Sequence, residues 1–232
     1  FDFVLNNKSL KVYTVGNPGF QEFNLIGYDI NNSPVEYNGC QVTPAIMVVV
    51  LDSISLKPWN TCEYNFGQAN TFTLTNGTCD EFTAGFGNCR NRPENYFIFH
   101  LGNPTMMSSL QSMINSVPSG NYILMYSWFT FPYSTADPAL FSSLTSLGFN
   151  TGSLQDNLPF IYFVRKNYPG TIQENHGNNQ TDTLTLNTLL QSTWNRGNIN
   201  SLTVGPAQRW ESLHWNQHPW ETQPLQDIVS LP

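Results

Sequence analysis

The hydrophobic pattern predicts four buried strands in the middle of the chain. Residues 46–51 are apolar on both faces, which is typical of a central strand covered on both sides. Residues 96–99, 122–126 and 160–164 are similar short runs rich in aromatic and β-branched side chains. Each run is too short for a helix, so strands are the favoured interpretation.

Two amphipathic helices are predicted between these strands. Asn103 is a good N-cap, and Pro104 stands at the first position of the first helix. The second helix begins at Asp137-Pro138, and Gly148 is its predicted C-terminal cap. Strands alternating with helices predict a β-rich α/β core with at least partly parallel pairing. Apolar residues recur at helical spacing in the first helix: Met106, Met107, Leu110, Met113, Ile114 and Val117.

The flanking pattern divides the chain into three predicted segments. Residues 1–38 contain short strand-like runs and are interpreted as a β-strand appendage or the tail of a preceding domain. Residues 39–175 form the predicted α/β domain. Residues 176–232 are interpreted as a linker and a tryptophan-rich segment leading into a following β domain.

Three stretches between the strands are less regular. Residues 57–92 are rich in Gly, Asn and Thr and are predicted to form a long excursion with one short strand at 71–75. Residues 167–180 are polar and turn-rich, which predicts a loop. Residues 184–190 fit either a strand or a short helix.

Composition narrows the classes of partner. The 232 residues include 9 Lys plus Arg against 16 Asp plus Glu, for a net charge of −7. This balance disfavours binding to nucleic acids or to anionic membrane surfaces, because such binding needs a cationic protein surface. Charged residues make up only 11% of the chain, so amides and hydroxyls must supply its polar surface, as on many secreted β-rich proteins. No apolar run reaches about 18 residues, so direct membrane insertion is not predicted.

Four cysteines lie close together in the sequence, at Cys40, Cys62, Cys79 and Cys89. The favoured interpretation is two disulfides formed in an oxidising compartment, with sequential pairing preferred among three possible connectivities. A zinc site is disfavoured because no CxxC pair is present, and free buried thiols are the remaining alternative.

The catalytic patterns that the sequence suggests are incomplete. His176-Gly177 is similar to the His-Gly of caspase-like peptidases, but that arrangement needs a downstream nucleophilic cysteine and none follows Cys89. Ser153 lacks the flanking glycine pattern of a hydrolase elbow. The sequence does not decide whether two acidic side chains come close together, as the paired carboxylates of a glycosidase do. We therefore predict no catalytic residues, no metal site and no cofactor, and interpret His176 as a solvated surface residue.

Aromatic and imidazole side chains cluster near the C-terminus. Trp210, Trp215 and Trp220 recur at five-residue intervals, and His214 and His218 lie among them. Tryptophans with nearby amides can stack on sugars, while the alternative is that they anchor this segment to the core or to a following domain. For the two histidines, packing or hydrogen bonding is favoured over metal binding.

Residues 46–166 resemble the interleukin-like EMT-inducer domain, also called the GG domain. The strand Val48-Val49-Val50-Leu51-Asp52 is similar to the family's hydrophobic strand ending in Asp. Residues 114–124, INSVPSGNYIL, resemble its signature "fl..ip.G..vl". Residues 144–148 and 160–166 are similar to "L..lGs" and "y.fig.KG", although Asn167 replaces the last glycine.

The flanks resemble a more specific group of proteins. Residues 197–201 and 204–215 are similar to a "G.i.S..iGPA..W.sl.W" segment of very large Bacteroidetes surface proteins related to the type IX secretion sortase PorU. The resemblance implies a compact β-β-α fold of two sheets with flanking helices. It also implies a secreted ligand or accessory module, and a similar module in a glycosyltransferase stem binds glycans.

The sequence therefore predicts a non-catalytic protein-interaction or accessory module of a large secreted or outer-membrane-associated protein. Its expected partners are other domains of the same chain and outer-membrane or secretion-system proteins. The alternative is a carbohydrate-binding module that uses the C-terminal tryptophans and amides to bind glycans. The expected location is extracellular, at the cell surface.

Overall fold

In the computed structural model of the protein, the described residues are 7–17, 26–37, 44–64, 66, 73–74, 82–83 and 93–192. All of them belong to one compact unit. The helices are α1 (Pro104–Ser116) and α2 (Pro138–Ser146). The strands are β1 (Asn7–Val15), β2 (Gly27–Ile30), β3 (Ser33–Tyr37), β4 (Ala45–Leu51), β5 (Thr73–Leu74), β6 (Phe82–Thr83), β7 (Phe97–His100), β8 (Tyr122–Trp128), β9 (Phe160–Arg165), β10 (Tyr168–His176) and β11 (Thr183–Gln191).

Two sheets carry most of these strands. The central sheet has five strands in the order β10-β9-β8-β4-β7, and the outer sheet has four in the order β11-β1-β2-β3. Strands β5 and β6 form a separate short pair. The described fold is therefore β-rich with two antiparallel sheets and two helices, in agreement with the predicted β-rich α/β class.

The central sheet is buried on both faces. All seven residues of β4 are buried, as the apolar pattern of residues 46–51 predicts. Val48 faces the helices and packs in one cluster with Leu110 of α1. Val49 faces the other way and packs in a second cluster with Val12 of the outer sheet. Because successive strand side chains point to opposite faces, this single strand supports both halves of the core.

The expectation of partly parallel pairing is wrong for the described strands, whose neighbours are all antiparallel. Strands β7 and β8, which α1 connects, do run in the same direction because both are antiparallel to β4. However, β4 lies between them and takes their ladder hydrogen bonds. The strand–helix–strand order therefore produces a crossover but no parallel ladder.

Both predicted helices are confirmed, together with their caps. The Asn103 side chain accepts a hydrogen bond from Met106 N, and Asp137 accepts one from Ala139 N. At the end of α2, Gly148 has φ +83°, where an L side chain is strained. Phe149 N then donates to Leu144 O, which satisfies a carbonyl at the helix end.

The structure corrects the sequence prediction for one stretch, decides it for a second and confirms it for a third. The predicted loop at 167–180 is wrong over Tyr168–His176, which forms strand β10. This edge strand is only partly buried, so it lacks the apolar alternation by which strands are recognised. Thr183–Gln191 is a strand with alternating buried residues, which decides between the two predicted alternatives. The short strand expected at 71–75 is confirmed as Thr73–Leu74.

Strands from all three predicted segments meet in one core. Strand β1, from residues 1–38, pairs along its whole length with β11, from residues 176–232. Leu10 and Leu186 of this pair lie in the same buried cluster as Leu124 of the central sheet. The described residues of the three segments are therefore parts of one fold.

Candidate binding site

A groove of about 440 Å³ lies beside the loop that follows β4. This volume is within the usual range for small-molecule sites, about 300–1,000 Å³. Trp59 and Tyr64 supply its aromatic surface. The side chains that supply most of its polar lining are Asp52, Lys57, Asn60, Glu63 and Asn95.

A tight turn at the end of β4 forms one side of the groove. Asp52 Oδ1 accepts hydrogen bonds from Ser55 N at 2.7 Å, Ile54 N at 3.1 Å and the Ser55 hydroxyl at 2.9 Å. The chain then returns to the sheet, where Trp59 N donates to Val50 O at 2.8 Å. Leu56 is fully buried at a φ of +53° and anchors this turn. These bonds and the buried Leu56 side chain constrain the conformation of the turn.

The Asp52 carboxyl is an electrostatic feature of the turn. Partial burial raises its pKa, but the hydrogen bonds from Ser55 and Ile54 outweigh that effect and hold the pKa below the usual 3.8. These bonds favour the charged form. Asp52 therefore carries a negative charge in the groove at neutral pH.

This charge leads to a prediction about stability and pH. The folded-state pKa is depressed, so the ionised carboxylate adds stability above the unfolded-state value of about 3.9 and loses it as the pH falls further. In Asp52→Asn the amide oxygen can still accept the turn bonds, but it does not titrate. We expect the wild type to be more stable than Asp52→Asn at pH 7, and the gap to shrink between about pH 4 and 2.5. Urea unfolding at pH 7, 4 and 2.5 measures this gap, and a gap independent of pH contradicts the assignment.

The opposite side of the groove is held by a second set of bonds. Asn60 Oδ1 accepts from Cys62 N at 3.0 Å and from Glu63 N at 2.9 Å. Thr61 N donates to Glu94 O, and Glu94 N donates back to Thr61 Oγ1. Cys62 is disulfide-bonded, which constrains the same loop covalently. The main chain on this side is thus fixed before any ligand arrives.

The aromatic pair forms a rigid platform. The rings of Trp59 and Tyr64 stack with centroids 3.9 Å apart and planes only 4° from parallel. Trp59 is 8% exposed and belongs to the buried core, so the half-buried Tyr64 is stacked on a ring that is itself held by the core. The tyrosine is held in place through one face of its ring.

A second polar cluster brings together Ser153, Glu174 and His176. His176 Nε2 lies 3.1 Å from Ser153 Oγ and 3.2 Å from Glu174 Oε2. Ser153 follows α2 in a short 3-10 turn, and the other two residues belong to β10. The edge of the imidazole also packs against Phe149, with ring centroids 5.7 Å apart.

This cluster lacks the geometry of a nucleophilic triad. A triad histidine contacts the nucleophile through one ring nitrogen and the carboxylate through the other. Here Nε2 contacts both partners. The shortest contact of the Ser153 hydroxyl is its hydrogen bond to Asn150 O, at 2.6 Å, so its proton is directed away from the imidazole. The arrangement fits a structural link between β10 and the turn after α2.

Most of the candidate residues from the sequence analysis lie outside the described residues. Cys62 is described and disulfide-bonded, and its partner lies outside the described residues. The other candidates also lie outside them: Cys40, Cys79, Cys89, Trp210, His214, Trp215, His218 and Trp220. His176, interpreted as a solvated loop residue, instead ends strand β10 and is only 24% exposed.

Sequence reasoning missed the groove. Its polar residues are ordinary loop residues, and Asn95 lies more than 30 positions from the others. The available signals were an aromatic pair within a polar segment and the Asp that directly follows β4. Neither signal indicates that Asn95 returns to the same place.

No three His, Cys, Asp or Glu side chains among the described residues come together as metal ligands. None of the helices in this part of the chain combines the length and the apolar character that crossing a membrane requires. In comparisons with known proteins, the chain matches no family model and no curated protein.

Proposed function

We propose that this chain is a non-catalytic interaction module, an interleukin-like domain within a large secreted or outer-membrane-associated protein. Its proposed partners are other domains of that protein and outer-membrane or secretion-system proteins of the type IX pathway. The layering of two antiparallel sheets with helices on one side supports the proposal, because the family resemblance implies a β-β-α fold. The observation that carries the interaction role is the outer edge of strand β11, whose central residues pair with no described strand beyond β1.

The described edges of the two main sheets differ in how they are protected. Strand β3 contains Pro34, β7 has only four residues, and β10 contains Pro169 and a shift in register. Each of these features discourages pairing with another chain. Strand β11 has nine residues in regular register with β1 and contains no Pro, Gly or charged side chain. It is the edge best suited to accept a partner.

The centre of β11 has both backbone and side-chain groups that point away from the rest of its sheet. Ser9 exchanges backbone and side-chain hydrogen bonds with Asn31, so its N–H and C=O point toward β2. Its register partner Leu189 therefore directs its own N–H and C=O away from β1. The Leu189 side chain is also 62% exposed. By contrast, Gln191 at the end of β11 bonds through its N–H and C=O to the Tyr122 hydroxyl.

A pull-down from detergent-solubilised outer membranes of the source organism tests this proposal. We expect the wild-type chain to recover specific outer-membrane proteins. The double variant Asn187→Pro, Leu189→Lys should lose most of that recovery, because it removes an edge donor and adds a charge. Mass spectrometry of the eluates measures recovery with and without excess free glycans.

A matched control lies on the same strand. Thr185→Lys adds the same charge, but the Thr185 carbonyl already accepts a hydrogen bond from Asn175 Nδ2. We expect this variant to recover partners as the wild type does. If the double variant retains full recovery, the β11 edge is not the interaction surface. If the wild type recovers no protein, the interaction function itself is contradicted.

Carbohydrate binding is a second candidate function. The groove beside β4 favours it, because aromatic rings and polar groups that no described residue engages line the same groove. This second function is also non-catalytic and compatible with a location at the cell surface.

A further inference from the structure

The groove beside β4 contains polar groups that the fold does not use. Among the described residues, no hydrogen bond engages the Lys57 ammonium or the Glu63 carboxylate, although both residues line the cavity. Asn60 accepts hydrogen bonds through its oxygen, and no described residue accepts one from its Nδ2. Asp52 uses Oδ1 for its turn, and no described residue donates a hydrogen bond to its Oδ2. The groove thus offers two carboxylate acceptors and two nitrogen donors to a ligand.

The charges of these groups restrict the ligand. Asp52 and Glu63 repel an anion, while the Lys57 ammonium balances one of the two carboxylates and so weakens the attraction for a simple cation. An apolar ligand would pair with none of these groups and would cover the partly buried Asp52 carboxylate without replacing its water. A neutral molecule with several hydroxyl groups satisfies all of them, because a hydroxyl both donates and accepts.

The aromatic platform adds a second requirement. Tyr64 is stacked on Trp59 through one face, so its ring has a fixed orientation and little side-chain entropy to lose on binding. An apolar face of the ligand can pack on such a ring while its edges meet the polar groups. Sugars combine an apolar face of C–H groups with a rim of hydroxyls.

We propose that this groove is a saccharide-binding site that takes a neutral sugar. The sugar packs against Tyr64, donates hydroxyl hydrogen bonds to Glu63 and the Oδ2 of Asp52, and accepts one from Lys57. The inference rests on the carbohydrate-binding candidate function and assigns it to this groove, which is separate in sequence from the C-terminal tryptophans. The hydrogen bonds and disulfide of the loop preorganise the site and so reduce the entropic cost of binding.

Affinity electrophoresis in gels that contain a neutral polysaccharide tests the assignment. The probes are soluble β-glucan, xylan, mannan and hydroxyethyl cellulose, followed by titration calorimetry with an oligosaccharide of the polysaccharide that retards the wild type. Glu63→Gln keeps the shape of the side chain and removes one charged acceptor. We expect it to weaken binding about tenfold or more, since hydrogen bonds to charged groups are among the stronger ones.

Two further variants distinguish a loss of the binding site from a loss of folding. Tyr64→Leu removes the platform and should weaken binding by a similar factor, with near-UV circular dichroism as the check on folding. Lys11→Met removes an exposed charge from the outer sheet, far along the chain from the groove, and should bind as the wild type does. Glu63 is exposed, so Glu63→Gln remains informative even if Tyr64→Leu does not fold.

The triple variant Trp210→Ala, Trp215→Ala, Trp220→Ala distinguishes the two carbohydrate hypotheses. The groove assignment predicts wild-type affinity for this variant. If it loses binding while Glu63→Gln retains it, the groove assignment is overturned and carbohydrate binding through the C-terminal segment stands. If the wild type is retarded by none of the four polysaccharides, both are overturned, and the protein-interaction function is judged separately by the pull-down.

Discussion

Phe160→Ala is expected to lower the free energy of unfolding by about 3–5 kcal/mol, the usual cost of deleting a fully buried aromatic ring. Phe160 begins β9 with no exposed surface. Its ring contacts Tyr133 and Phe149 edge to face, with centroids 5.8 Å and 5.9 Å apart. Removing it leaves a cavity where the central sheet, α2 and the following turns meet.

Urea unfolding followed by tryptophan fluorescence measures this loss. Phe160→Leu retains most of the volume and should cost about 1.5 kcal/mol or less. Phe141→Ala is the matched control, because Phe141 of α2 packs on the same cluster but is only partly buried. Equal losses at positions 141 and 160 would show that the packing around Phe160 is not as described.

Lys166→Met is expected to cost about 1.5–3 kcal/mol, although lysine is usually a surface residue of little consequence. The Lys166 ammonium donates hydrogen bonds to Ile114 O at 2.6 Å, Val117 O at 2.6 Å and Asn115 O at 3.2 Å. These carbonyls lie at the end of α1, where the helix leaves its acceptors unpaired and its dipole attracts a cation. Methionine keeps the aliphatic stem and removes all three bonds.

The comparison with Lys57→Met isolates this effect. Lys57 is exposed, and no described residue accepts a hydrogen bond from its ammonium, so the free energy of unfolding should change by less than about 0.5 kcal/mol. Thermal unfolding of both variants beside the wild type measures the difference. A loss at position 166 no larger than at position 57 would mean that water replaces the ammonium at the helix end without cost.

Hydrogen bonds near Lys166 also connect the groove to residues that are distant in the sequence. Gly120 N donates to Lys166 O, and Asn121 accepts a hydrogen bond from Ser53 N through its side chain. The turn that begins the groove is thereby joined to the end of α1 and to β9. From the outer sheet, Lys8 donates to the carbonyls of Ser55 and Leu56 in the same loop. The groove loop is held by both layers that flank it.

Local patterns predicted the helices because the determining interactions are local. Asn103 and Asp137 each bond to an N–H two or three residues ahead, and Gly148 supplies the left-handed conformation that ends α2. The same holds for β4, whose unbroken apolar run is a direct consequence of burial on two faces. Each of these features is encoded within a few neighbouring residues.

Partners far apart in the sequence could not be predicted in this way. Strand β10 is polar and lies at an edge, so its hydrogen bonds to β9, rather than its own composition, make it a strand. Ser153 and Glu174 come within 3.3 Å only because the turn after α2 packs against β10. Asn95 reaches the groove because Glu36, in the outer sheet, accepts a hydrogen bond from its N–H at 2.8 Å.

By itself, the sequence determined the β-rich α/β class, both helices with their caps, and the buried central strand, because burial and capping leave local patterns. Only the tertiary structure decided that the described strands pair in antiparallel ladders and that β1 and β11 join one sheet. It also decided where Trp59, Tyr64 and Glu63 form a groove and that β11 is the last of the described strands in its sheet. Strand pairing depends on long-range hydrogen bonds whose register and direction are not encoded in any one segment.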